Sequence, residues 1–95
     1  MNVMLVVRIT SKTGKGKELA QLIQPIPEDN PIKGCFGMDV LQNTSNQDEV
    51  VIIEHWDSIQ RHKQFLSDLQ AAGGLNKMLE LSEKIDRTYF SQVTE

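Results

Sequence analysis

In this 95-residue chain, the stretch Glu54-His55-Trp56 and the nearby His62 carry the side chains best suited to chemistry on a small molecule. His62 follows Ile59 by three residues and precedes Leu66 by four, so in a helix it falls on the apolar stripe. An imidazole there can take a proton from a phenol or hydroquinone, because it titrates near neutrality. It can equally be a hydrogen-bonded core histidine without chemistry. Glu54 alternates with Val50, Ile52 and Trp56, which places all four on one face of a strand. A carboxylate on such a face needs a partner, since burying an isolated charge is costly. The partners open to it are His62, a substrate hydroxyl, Arg8 or Arg87 across the sheet, or a group at a dimer contact, and its strand face can be turned either to the helices or to a partner subunit. Trp56 offers a flat surface to a planar ligand or a lid to the core. Phe65 offers an apolar ring and Tyr89 a hydroxyl. The candidate catalytic residues are therefore His62, as general base or orienting group, and Glu54, as its acceptor, with Trp56, Phe65 and Tyr89 for substrate contact.

Other chemistries find little support. His55 and His62 lie seven residues apart, one on a strand and one on a helix, which is no metal-ligand spacing. There is no Gly-x-Gly-x-x-Gly and no phosphate loop. Cys35 reads as a small buried apolar residue, or else as a reactive thiol, and a lone cysteine allows no internal disulfide and fits a reducing, cytoplasmic setting. The net charge of −3 gives no footprint for nucleic acid. Lys12, Lys15 and Lys17 surround Gly14 and Gly16, as a solvated turn before a helix or as an anion site at that helix's start. The start of the chain does not read as a signal peptide, and no apolar run approaches the roughly 20 residues needed to span a bilayer.

The elements that must position these residues follow from periodicity. Val3 to Thr10 reads as a strand whose two faces both begin apolar. A turn at Thr13–Gly16 leads into a helix from about Lys15, with Leu19, Leu22 and Ile23 at helical spacing and Pro25 and Pro27 to end it. Cys35 to Gln42 reads as a second strand, with Phe36, Met38 and Val40 on one face. Asn43 to Asp48 is polar turn material, hence a hairpin into a third strand, Glu49 to Trp56. Asp57 or Ser58 can cap the next helix, which Gly73-Gly74 breaks. A further helical piece, Leu75 to Lys84, and a strand from about Asp86 to Val93 complete the chain.

The order β-α-β-β-α-β is the ferredoxin-like, split βαβ pattern: one α+β domain over residues 1–95, a four-stranded antiparallel sheet with both helices on one face. Strands one and three are apolar on both faces, so the uncovered face calls for a second copy, and a homodimer is expected.

Several features together resemble the antibiotic biosynthesis monooxygenase (ABM) domain family, whose members form dimeric α/β barrels. They are the Val-rich first strand, the Gly14-Lys15 turn, the Gly34-Cys35 start of strand two, the Glu54-His55-Trp56 end of strand three and an aromatic final strand. The resemblance implies oxygenation of a small aromatic or quinol-like compound without metal or flavin. Many members carry a histidine nine residues after that tryptophan, where this chain has Phe65. The haem-degrading relatives use polar and aromatic groups at positions that fall near Val7, Phe65 and Leu75, all apolar here, so haem degradation is not expected. The competing expectations are a non-catalytic ligand-binding or sensing module, favoured by Phe65, and an isomerase- or decarboxylase-like activity on the same fold.

Overall fold

A computed structural model describes residues 2–23 and 32–93. Its elements are β1 (Val3–Ser11), α1 (Gly16–Leu22), β2 (Cys35–Gln42), β3 (Glu49–Trp56), α2 (Ile59–Ala71), α3 (Asn76–Leu81) and β4 (Ser82–Ser91). The strands form one antiparallel sheet in the order β2-β3-β1-β4, the ferredoxin-like arrangement. Helices cover one face. The core lies between: Leu5, Ile9, Leu19, Val50 and Trp56 are fully buried, with Val3, Val7, Ile52 and Leu81 close to it.

Strand alternation sets the two faces. Along β1, Val3, Leu5, Val7 and Ile9 are buried while Met4, Arg8 and Thr10 are exposed. In β3, Val50, Ile52 and Trp56 turn towards the helices, which places Glu54 on the same side. The opposite face carries Met4, Val6, Leu41, Val51, Ile53 and Phe90, and Phe90 is 51% exposed.

Two elements differ from their periodicity. A register shift between Cys35 and Gly37 in β2 puts Cys35 opposite Trp56 and Met38 opposite Glu54. Cys35, Met38 and Val40 thus pack on the core, and Phe36 is left 59% exposed. A bulge breaks simple alternation because it sets two residues of one strand against one of its partner. The last helix stops at Leu81 rather than Lys84, and β4 begins at Ser82. The sheet explains this: Ser82 and Lys84 pair with Ser11 and Thr10 of β1, so ladder hydrogen bonds replace the last helical turn. Pro25 and Pro27, expected to end α1, lie outside the described residues.

Helix ends are settled locally. The Ser58 hydroxyl accepts from the Arg61 N–H at 3.2 Å, capping α2. At its far end, Gly73 adopts φ +78°, and the Gly73 and Gly74 N–H groups donate to the carbonyls of Gln70 and Leu69. This is a Schellman stop, which favours glycine at the left-handed position. The lysine-rich turn before α1 holds the protein's own anion: Asp48 accepts from the Gly14 and Gly16 N–H groups, both at 3.1 Å. These bonds hold the Asp48 carboxyl below its usual range. The β2–β3 hairpin is thereby tied to the start of α1.

Gly16 lies so close to that hairpin that an added Cβ would sit 2.7 Å from the Asp48 Cα and overlap the Gln47 carbonyl. Both obstacles are backbone and cannot rotate away. Gly16→Ala is expected to cost about 1–3 kcal/mol, as overpacking does. For a domain of this size, each kcal/mol moves Tm by roughly 4–8 °C. An unchanged melting temperature would show that the hairpin yields freely.

Candidate active site

Between the sheet and the helices lies a cavity of about 370 Å³. Val7, Met38, Ile52, Glu54 and Arg87 contribute from the sheet, and His62, Phe65, Leu66 and Leu69 from α2. Leu22 and Ile23 at the end of α1, with Leu75 and Met78 around α3, close the remaining sides. The walls are apolar apart from Glu54, His62 and Arg87.

The strand register explains why these three groups meet. Across the sheet, Met38, Glu54, Leu5 and Tyr89 form one row, and Val40, Ile52, Val7 and Arg87 form the next. Every residue in both rows faces the helices. His62 enters from above on the inner face of α2 and is only 3% exposed.

Two aromatic residues stand behind the polar groups rather than in the cavity wall. The Trp56 indole N–H donates to Glu54 Oε1 at 2.8 Å, and Trp56 is fully buried. The Tyr89 hydroxyl lies 2.6 Å from His62 Nδ1. Rings stack around this pair: Trp56 and His62 meet edge-on with centroids 5.3 Å apart, and Tyr89 meets His62 similarly at 5.5 Å. Phe65 both lines the cavity and packs against Trp56, with centroids 5.5 Å apart. His62 is thus held by Tyr89, not by Glu54. With Nδ1 engaged, Nε2 is the ring nitrogen left for a ligand.

Burial tunes the acids and bases. Desolvation lowers His62 to about 4, helped by the positive charges of Arg87 and Lys63. Its imidazole is therefore neutral at pH 7. On acidification from 6.5 towards 4 the unfolded chain binds a proton that the folded imidazole refuses, so His62 costs the fold stability over that interval. Desolvation pushes the Glu54 carboxyl up, while the Trp56 hydrogen bond and Arg87 pull it part of the way back. Burial likewise raises Tyr89, keeping its hydroxyl protonated. Burial thus favours the neutral form of both Glu54 and His62.

Of the five residues singled out from the sequence, His62, Glu54 and Phe65 line the cavity, whereas Trp56 and Tyr89, expected to touch a substrate, lie behind it and hold Glu54 and His62. The structure adds Arg87, considered from the sequence only as an ion-pair partner of Glu54. The available signal was its position two residues before Tyr89, on the same strand face. His55 lies on the opposite sheet face, beside Gly37. Among the described residues no three His, Cys, Asp or Glu side chains gather to form a possible metal site.

An apolar cavity with a few convergent polar groups, set under the helices of a ferredoxin-like sheet, defines a small-molecule-binding class of α+β protein. Residues 2–71 match the family model for antibiotic biosynthesis monooxygenase, and the chain belongs to that family. No curated protein sequence matches the chain significantly. Among solved structures, a protein of Chloroflexus aurantiacus J-10-fl bearing the same family name superposes with a TM-score of 0.80 at 20% identity, covering 100% of this chain and 96% of that one. A conserved protein from Methanosarcina mazei Go1 gives 0.79 at 17% identity, covering 97% and 93%. SnoaB, a cofactor-independent oxygenase from Streptomyces nogalater, gives 0.75 at 16% identity, covering 99% and 95%. At these identities the likeness concerns the fold. Among the described residues no helix is long and apolar enough to cross a membrane.

Proposed function

We propose that the protein is a cofactor-independent monooxygenase acting on a small aromatic or quinol-like compound. The observation that carries this reading is a carboxyl, Glu54, raised by burial and facing an apolar cavity beside a neutral histidine. Family membership and the fold shared with SnoaB support it.

In this reading Glu54 takes the proton of a ring hydroxyl. A general base works best when its pKa lies near the working pH, which favours Glu54 over an imidazole lowered to about 4. His62, held through Nδ1 by Tyr89, offers Nε2 to orient the ring oxygen. Trp56 positions Glu54, and Phe65 forms an apolar wall. The resulting phenolate passes an electron to oxygen, and the two radicals combine at a ring carbon that bears hydrogen, para to the oxygen in a phenol and ortho to it in a hydroquinone. Loss of water from the hydroperoxide leaves a quinone. The balance is one phenol and one O2 giving one quinone and one water. No electron donor other than the substrate enters.

The test is oxygen uptake with a panel of phenols and hydroquinones of one to three fused rings, with quinone followed by absorbance. Uptake that depends on the protein and matches the quinone formed is expected; none above the protein-free rate removes the reading. The alternative, a ligand-binding module without chemistry, draws on Phe65 where many relatives keep histidine. An apolar cavity of about 370 Å³ with His62 in its wall, not filled by Phe65 and Met78, favours chemistry over it.

The reading includes a homodimer packed through the uncovered sheet face, in a reducing compartment that suits Cys35. Met4, Leu41 and Phe90, each more than a third exposed, support a covered face. Light scattering at micromolar concentration is expected to give twice the chain mass, and Phe90→Lys to shift it towards one. A wild-type monomer at that concentration contradicts the dimer.

A further inference from the structure

We infer that Arg87 holds and stabilises the oxyanion that forms when Glu54 takes a proton from a neutral ring hydroxyl in the cavity. This rests on the monooxygenase reading for the reaction it serves.

The first ground is placement. Arg87 sits on the helix-facing side of β4, in the row next to Glu54, and lines the same cavity. The second is that no described carboxylate lies within 4.0 Å of Arg87; Lys12, Lys17, Lys33 and Lys63 make no ion pair among the described residues either, but of these five only Arg87 lines the cavity. Its charge is nevertheless felt at Glu54, His62 and Tyr89.

The third ground is charge balance. As the base, Glu54 starts ionised; with His62 neutral and Arg87 cationic the cavity then carries no net charge before reaction. When Glu54 takes the proton, the ligand O–H bond breaks, an O–H bond forms on Glu54, and the electron pair stays on the ligand oxygen. Glu54 is then neutral, the ligand oxygen is negative, and the net charge is unchanged. The cation already in place faces the charge that develops, which is how preorganised groups lower a barrier. The planar guanidinium also suits a ring oxygen, donating through two N–H groups at once.

The test uses 4-nitrophenol, whose neutral and anionic forms absorb separately, and nitrobenzene as a control that cannot ionise. Each is titrated into wild-type protein, Arg87→Gln and Arg87→Lys across pH. Removing a nearby opposite charge is expected to raise the ionisation midpoint of bound 4-nitrophenol in Arg87→Gln by about 1–3 pH units. Arg87→Lys is expected to fall between. Nitrobenzene affinity should be unchanged. Equal midpoints in wild type and Arg87→Gln, or no binding of 4-nitrophenol to the wild type, would overturn the inference. So would a parallel loss of nitrobenzene binding in Arg87→Gln, which makes Arg87 a scaffold residue. The titration needs no turnover. An Arg87-dependent midpoint without oxygen uptake removes the monooxygenase reading and leaves the anion-stabilising residue standing.

Discussion

Glu54→Gln is expected to lower the oxygen-uptake rate by about 10²–10⁴-fold, the usual worth of a positioned general base. The substitution keeps the shape of the side chain, and the glutamine carbonyl can still accept from the Trp56 indole at the 2.8 Å site. It removes only the capacity to take a proton. Stability should not fall with activity. Glu54 is raised in the folded protein, so its ionisation opposes folding, and that penalty grows as pH rises through the folded value. A neutral glutamine escapes it, and the variant should be at least as stable as the wild type at pH 7. In the wild type the active form is the carboxylate. The rate should therefore climb with pH across a midpoint above the usual carboxylate range, and Glu54→Gln should abolish that limb. A variant with full turnover, or a rate that is flat across the acid range, would take Glu54 out of the reaction.

Trp56→Ala is expected to destabilise the fold by about 3–5 kcal/mol, the cost of deleting a buried aromatic side chain. Total stabilities run to about 5–15 kcal/mol, so the variant could lose much of the folded population. Trp56 is fully buried, sits opposite Val3 and Cys35 in the sheet, and packs on His62 and Phe65. Urea unfolding measures the loss, and an alanine variant with the wild-type midpoint would contradict it. Trp56→Phe separates packing from hydrogen bonding. It keeps most of the ring but removes the N–H that lowers Glu54. Its stability loss should be smaller, and the acid limb of its rate profile should move to higher pH.

The catalytic proposals and the packing thus converge on one strand end. Glu54 and Trp56 lie two residues apart on the same face, so one alternation brings both the acid and its hydrogen-bond donor under α2. That alternation was legible in the sequence. So were the order of elements, the two-faced apolar character of β1 and β3, the hairpin at residues 43–48 and the glycine stop after α2. Each depends on neighbours within a few residues, where spacing of 2 or 3.6 and local capping decide the outcome. His62 was readable as an inward residue for the same reason.

Contacts between distant segments were not readable. Periodicity places Tyr89 and His62 on inner faces but cannot bring a hydroxyl to 2.6 Å from Nδ1; that needs the β1–β4 register and the height of α2 above it. The bulge at Cys35–Gly37 turned Phe36 outwards, because pairing with β3 outweighs alternation within β2. The β1 ladder likewise shortened α3, since hydrogen bonds to Thr10 and Ser11 replaced a helical turn of similar local propensity. The anion at the start of α1 proved to be Asp48, 32 residues beyond Gly16. Arg87 gained its meaning in the same way. On the sequence it is one charged residue in an edge strand, and only the sheet register sets it in the row beside Glu54, on the wall of a shared cavity.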